Sequence, residues 1–463
     1  MKRTFALMCA MTAIGCVEPA TGSEQQDLTR PLDVDGVVGS QTRLFRNLTG
    51  YVLTTTPSGS IDLDNPFFQS LGTNGRSCFS CHFARDGWTV TPRTAQKLFD
   101  LTSGTHPLFR TVDGATSPDA DVSTLAARRQ AYSMLLTKGL IRVGIGIPFN
   151  AEFELVGVDD PYHHASSTEL SLFRRPLPAT NLKFLSTVMW DGRETFSGQS
   201  IDFDLLDQAN SATLGHAQAM VPGLTAAEQR AIVDLEASFS TAQQTDDAAG
   251  ILTENGALGG PAAVAAQEFH IGINDNFGDP VTGAPFTPVV FDIYDAWASV
   301  GGSKAASRRA IARGQALFNT KPIRIAGVSG INDEDVFGNP AVVVGTCTTC
   351  HDTPNAGDHS VVAPLNLGLA DASRRTPDLP LYTLRNKTTG ETVQVTDPGR
   401  ARRTSITARQ RRSARSWTSM TRGSGSASRC RRRRTSWRSC RPCESVASRA
   451  SLNSHLGDSR QGA

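Results

Sequence analysis

The sequence predicts a mainly α fold of two domains with few short strands, followed by a disordered tail rich in Arg and Ser. Three observations carry that expectation. Apolar residues recur at helical spacing over 123–141, 224–239 and 303–318. Two Cys-x-x-Cys-His pentads, at 78–82 and 347–351, stand about 270 residues apart, one in each half of the body. Past residue 400 no apolar period can be drawn at all.

The composition sets the outer limits. A chain of 463 residues can bury more than one core, and 39% hydrophobic with 7% aromatic residues excludes a largely disordered or polytopic membrane protein. The net charge of +2 hides a split. Residues 401–463 hold 16 Arg, no Lys and two acids, Glu444 and Asp458, which leaves 30 basic against 42 acidic residues in 1–400. The body is therefore acidic, and no nucleic-acid partner is expected for it.

In chain order, residues 1–16 read as an export signal. Lys2 and Arg3 precede an apolar run, Phe5 to Gly15, too short to span a bilayer. The run ends Ala13-Ile14-Gly15-Cys16, which resembles a bacterial lipoprotein box and makes Cys16 the expected lipid-bearing residue. This places the protein in the periplasm or cell envelope, touching the membrane only through that lipid. Residues 17–40 are polar and read as a linker. The first domain is expected over 41–300 and the second over 301–400, with the Gly-rich stretch Gly256 to Gly260 and Gly301-Gly302 bracketing the junction. Leu125, Tyr132, Leu135 and Leu136 mark a helix over 123–141. Thr225 and Glu228 form a capping box for a second helix with Ile232, Leu235 and Phe239 as its buried stripe. A third spans Ser303 to Phe318.

The tail, 401–463, has no Phe or Tyr, one Ile, one Val and two Leu. It reads either as a basic arm for an anionic partner or as a misread frame. One choice of codons for Arg402 to Arg409, shifted by a single base, spells Ala-Pro-Tyr-Phe-His-Asn-Gly-Ser, and the continuation through Thr421 spells an amphipathic segment. The tail is therefore expected to be aberrant, the product of a frameshift.

The four cysteines of the body all lie in the two pentads: Cys78, Cys81 and His82, then Cys347, Cys350 and His351. Two thiols three positions apart on one turn can each form a thioether to a haem vinyl group. The following histidine then lies beneath the iron as its proximal ligand. A structural zinc site wants a fourth ligand close by, and a redox dithiol does not need the histidine. Two covalently bound c-type haems are expected, with His82 and His351 as the metal ligands, and export agrees with attachment outside the cytoplasm.

At Trp190-Asp191-Gly192-Arg193, between the two pentads, the chain resembles the bacterial di-haem cytochrome c peroxidase and MauG-like family. Asn74-Gly75-Arg76-Ser77, Ala312-Arg313-Gly314-Gln315-Ala316-Leu317-Phe318, Asp397-Pro398-Gly399-Arg400 and the shifted reading of the tail add to the resemblance, which covers roughly residues 40–400. It implies reduction of hydrogen peroxide to water, with electrons from a small cytochrome c or cupredoxin reaching the C-terminal haem and passing to the N-terminal, peroxidatic one. His82 would then ligate the peroxidatic iron and His351 the electron-receiving iron. The resemblance assigns Trp190 to a bridging position between the haems and Gln199 to the distal pocket.

The chain departs from the family in two places. About 20 residues after the tryptophan the family has a glutamate; here the stretch is Gln208-Ala209-Asn210-Ser211. Glu194 stands elsewhere, and His216, His106, His163 and His164 are unranked candidates for base or ligand. The segment that would supply the far ligand of the second haem falls in the shifted tail, where Met420 is the lone methionine after His351. Alternatives to the peroxidase are an electron-transfer cytochrome without peroxide turnover and a MauG-like oxidation of a partner protein.

Overall fold

The strands of this chain pair over long sequence distances, and that decides its architecture. The computed structural model describes residues 37–38, 41–42, 44–328, 331–332, 338–362 and 368–399. The leader with Cys16, most of the linker, Arg400 and the whole tail, with Met420, lie outside the described residues.

A short ribbon, β1 (Val37–Val38) with β2 (Gln41–Thr42), precedes β3 (Phe45–Arg46) and β4 (Gly50–Thr55). After the first pentad comes α1 (Pro92–Thr102), started by Thr91, whose Oγ1 accepts the Thr94 N–H, and by Pro92 at its first position. It buries Ala95, Leu98 and Phe99. The helix expected over 123–141 is two short helices, α2 (Leu125–Ala131) and α3 (Ser133–Lys138). The break falls at Tyr132, whose ring packs into the core while its hydroxyl donates to the Phe109 carbonyl, 3.0 Å away. Gly139, in the left-handed conformation, ends α3, so that Ile141 already belongs to a strand.

That strand, β5 (Ile141–Ile145), precedes β6 (Phe153–Asp159) and pairs with β7 (Leu170–Arg174). Then come α4 (Ile201–His216) and α5 (Ala226–Ser238). The Thr225–Glu228 capping box forms as expected, and Ile232 and Val233 are buried beside Phe239. β8 (Ser240–Asp246) lies between β4 and β9 (Gly250–Ile251), completing the sheet order β3-β4-β8-β9. The chain continues through α6 (Pro261–Ala266) and α7 (Ala305–Thr320). A ribbon of β10 (Ile323–Ile325) and β11 (Val343–Gly345) leads into the second pentad. Finally β12 (Leu381–Asn386) pairs with β13 (Thr392–Val395) on one side and with β6 on the other.

The mainly α expectation is corrected by these strands. Helix takes up 29% and strand 15%, and the described residues do not form two helical cytochrome-type domains. The reason is visible in the residues. β4 and β8 read Gly-Tyr-Val-Leu-Thr-Thr and Ser-Thr-Ala-Gln-Gln-Thr-Asp, half-polar strings with no clean alternation. They become strands by pairing Leu53 with Ala242 and Thr54 with Thr241 across nearly two hundred residues. β12 crosses a similar distance to β6 and buries Tyr382 and Leu384 in a cluster with Phe153, Leu170 and Leu172. No helix among the described residues is long and apolar enough to cross a membrane.

Two hydrophobic clusters flank the first pentad. Cys78 packs against one that holds Phe67, Trp88, Val233 and Phe239; Cys81 packs against the other, with Phe83, Phe99, Leu108 and Tyr132.

Candidate functional site

Each pentad begins as a single 3-10 turn, Cys78–Ser80 and Cys347–Thr349. The same bonds shape both. The Ser77 N–H donates to Ser80 Oγ at 3.1 Å, and the Thr346 N–H to Thr349 Oγ1 at 2.9 Å. The His82 N–H donates to the Cys78 carbonyl at 3.1 Å, and the His351 N–H to the Cys347 carbonyl at 3.2 Å. A hydroxyl residue before each first cysteine and another two after it thus wind both turns alike.

The histidines are fixed by the same device. His82 Nδ1 lies 2.8 Å from the Trp88 carbonyl, and His351 Nδ1 lies 2.6 Å from the Gly357 carbonyl, six residues on in both cases. A carbonyl can only accept, so Nδ1 carries the hydrogen and Nε2 keeps its lone pair for a metal. Burial holds the His82 imidazole below its ordinary pKa, against the opposing bond to Trp88, which keeps the ring neutral as a ligand must be.

Trp88 is itself over-determined. Its φ of 62° lies in the left-handed region, which a bulky residue adopts only when its surroundings compel it. The ring stacks on Phe239 with centroids 4.0 Å apart, and Nε1 donates to Thr54 Oγ1 at 2.8 Å. Thr54 Oγ1 meets Thr241 Oγ1 at 2.7 Å, and Thr241 meets Thr180 at 2.8 Å. A buried hydroxyl chain on β4 and β8 therefore sets the carbonyl that sets His82. Thr54→Val leaves the indole N–H unpaired and should cost about 1–2 kcal/mol in urea unfolding.

The donor set fits covalent haem. All four thiols are free and each pair shares one turn. Burial raises the Cys78 thiol, pushes Cys81 up to about 11 against the nearby Arg76, and raises Cys350. In the loop after His351, Ser360 Oγ is buried without a hydrogen-bond partner, and the buried Asp352 Oδ2 has only His359 Nδ1 near it, at 3.4 Å. Orphans of this kind fit a segment that a bound group completes. Among the described residues no three His, Cys, Asp or Glu side chains gather as they would for a bare metal ion.

The residue motifs read separately in the sequence meet in space. Asp191 and Asp397 both bind Arg174: Nη1 donates to Asp191 Oδ2 at 2.9 Å, while Nε and Nη2 donate to the two Asp397 oxygens at 2.8 Å. Arg174 holds Asp191 below the ordinary carboxylate range, helped by Arg193, although burial acts to raise it. Trp190 is 49% exposed, and its indole N–H donates to the Arg175 carbonyl at 3.3 Å. Gln199 is exposed in the turn before α4.

A cavity of about 270 Å³ is lined by Asp113, Arg142, Glu169, Arg193, Glu194 and His216, with Gln208 from α4 and the apolar side chains of Val143, Ile145 and Met189. Arg76, two residues before Cys78, is buried and ion-paired to Asp113. Its Nε and Nη2 donate to the Pro107 and Leu108 carbonyls at 2.7 and 2.8 Å. The other Asp113 oxygen lies 2.6 Å from His216 Nδ1. Burial would raise Asp113, but Arg76 and His216 prevail and hold it low. Asn74 Nδ2 and Arg76 Nη1 both donate to the His216 carbonyl, closing the C-terminus of α4.

Of the four unranked histidines, His216 lines this cavity. His106 is buried, its Nδ1 accepts the Leu108 N–H at 3.1 Å, and burial lowers it to about 4. His164 bridges Asp119 and Glu169, and His163 is exposed. Sequence reasoning missed Trp88, Asp113 and Arg142. An aspartate and an arginine in loop and strand carry no signal until their partners are known. Trp88, six residues past a haem-type histidine, was findable by its spacing.

No protein-family model, curated protein or solved structure matches the chain.

Proposed function

We propose that this chain is a di-haem c-type cytochrome of the cell envelope with peroxidase-type activity. It carries one haem on Cys78 and Cys81 above His82 and a second on Cys347 and Cys350 above His351. Hydrogen peroxide is its substrate, and a small cytochrome c or cupredoxin its electron donor. The observation that carries the reading is the repeated fixing of His82 and His351, each through Nδ1 on a carbonyl six residues downstream. Two unrelated stretches of sequence thus present the same free Nε2 above the same dithiol turn.

The haems would supply the redox chemistry; the protein orients the imidazoles, sets Phe67 beside His82 and Phe318 beside the exposed His351, and furnishes proton-handling groups. The full chain, made in a host that exports and matures c-type cytochromes, should give two haems per chain by pyridine haemochrome, and Cys78→Ala/Cys81→Ala should give one. Stopped-flow mixing with peroxide and a reduced donor should show turnover. Colourless protein overturns the haem assignment. Two low-spin, six-coordinate haems without turnover mark an electron carrier instead of a peroxidase.

A further inference from the structure

We propose that His216 is the proton-transfer residue of the first haem centre, positioned by Asp113, and that Arg142 stabilises the charge that develops on the departing oxygen. The inference rests on the peroxidase reading and supplies the group missing from the stretch 208–211.

Three features of His216 match the task. Its Nδ1 is anchored 2.6 Å from a buried carboxylate, which fixes the ring and leaves Nε2 for a reactant. It opens on a cavity of about 270 Å³, ample for a molecule of two heavy atoms. Its side chain is 35% exposed, so protons exchange with solvent. The cavity adjoins the first pentad: Asp113 on its wall is ion-paired to Arg76, two residues before Cys78, and Arg76 Nη1 donates to the carbonyl of His216 at 3.2 Å.

Arg142 is the second, independent observation. It is 2% exposed and lines the same cavity, yet its Nε and Nη1 have no partner; only Nη2 is used, on Glu169 at 2.8 Å and the Val112 carbonyl at 2.9 Å. Buried guanidinium donors without an acceptor are costly. They fit a site where an oxygen carrying negative charge arrives during reaction. Glu194, held protonated to higher pH by burial and by its bond to Asp207 against the pull of Arg193, adds a proton reserve on the same cavity.

The chemistry balances. His216 takes the proton from one oxygen of H2O2 and delivers it to the other as the O–O bond breaks, releasing one water. The retained oxygen takes two electrons, one from each of two molecules of the reduced small redox protein, and two protons from solvent, and leaves as the second water.

The test uses the full haem-loaded chain with His216→Gln and His216→Ala, and reads cyanide association as well as peroxide reaction. Hydrogen cyanide must lose its proton to bind ferric iron, so a base in the pocket speeds it without any turnover. Both variants should keep two haems and an unchanged ferric spin state, react with peroxide about 10²-fold or more slowly, and bind cyanide about tenfold or more slowly. Arg142→Lys should slow peroxide reaction and leave cyanide association nearly intact. Unchanged rates in both His216 variants, with the wild type active, overturn the assignment while the peroxidase reading stands. A wild type inert to peroxide whose cyanide association still depends on His216 keeps the proton role and removes the peroxidase. Conversion of a low-spin first haem to high spin by His216→Ala makes His216 an iron ligand and overturns the proposal.

Discussion

Replacing Asp113 with alanine should cost about 3–5 kcal/mol of folding stability, measured by urea unfolding of the haem-loaded chain. The magnitude follows from what is left behind. Arg76 is 2% exposed, and its remaining partners are the carbonyls of Pro107, Leu108 and His216, which bear no net charge. A guanidinium stripped of its counter-ion in a dry site cannot lose its proton to escape, so the folded state bears the penalty. The exposed pair Arg46–Asp247, at 44% and 53% exposure, is the natural control: Asp247→Ala should cost less than about 1 kcal/mol. If the two replacements cost the same, Asp113 does not neutralise a buried charge.

The same pair fixes an acid dependence. Asp113 and Asp191 are both held below the ordinary carboxylate value of 3.8, after burial has been overcome by Arg76 with His216 and by Arg174 with Arg193 respectively. The unfolded chain therefore binds their protons first as pH falls. The stability they confer is complete above about pH 4 and is lost as pH drops through the folded values. Asp113→Ala should flatten that loss.

How much of this was legible in the sequence differs by length scale. Local bonding was: the Thr225–Glu228 box starts α5 where expected, and the two pentads wind as the positions of their cysteines require. Pairing at a distance was not. Nothing within Gly50–Thr55 states that its partner is Ser240–Asp246, and the half-polar residues of both strands hide them from a periodicity search. The helix over 123–141 failed for a tertiary reason, since burying Tyr132 with its hydroxyl on the Phe109 carbonyl favours a break there over a continuous stripe. The site divides along the same line. His82 and His351 stand out as candidates from five-residue motifs alone, whereas Asp113 draws notice only when Arg76 and His216 converge on it from both sides in sequence. The arginine that ties Asp191 to Asp397 was likewise invisible, although both aspartates had been noticed.

Glu236→Gln should stabilise the protein strongly at pH 8 and hardly at pH 4. Glu236 lies on α5 beside Cys78 and the cluster of Trp88, Val233 and Phe239, and burial raises its carboxyl from 4.5 to about 8. Between those two values the folded chain holds a proton that the unfolded chain has released, so stability falls as pH rises from 4.5 and levels off near 8. At about 1.4 kcal/mol per pH unit, the accumulated loss is on the order of a few kcal/mol. Glutamine has nearly the same shape and no proton to lose, so it removes the slope and leaves the packing. This dependence opposes that of Asp113 and Asp191, whose contribution is lost toward acid. Thermal unfolding of wild type and Glu236→Gln at pH 4.5, 6 and 8 separates the contributions: the two midpoints should coincide at the lowest pH and diverge steadily above it. Parallel midpoints across the series would mean that Glu236 ionises in the folded state as readily as in the unfolded one, and that the pocket beside Cys78 admits water.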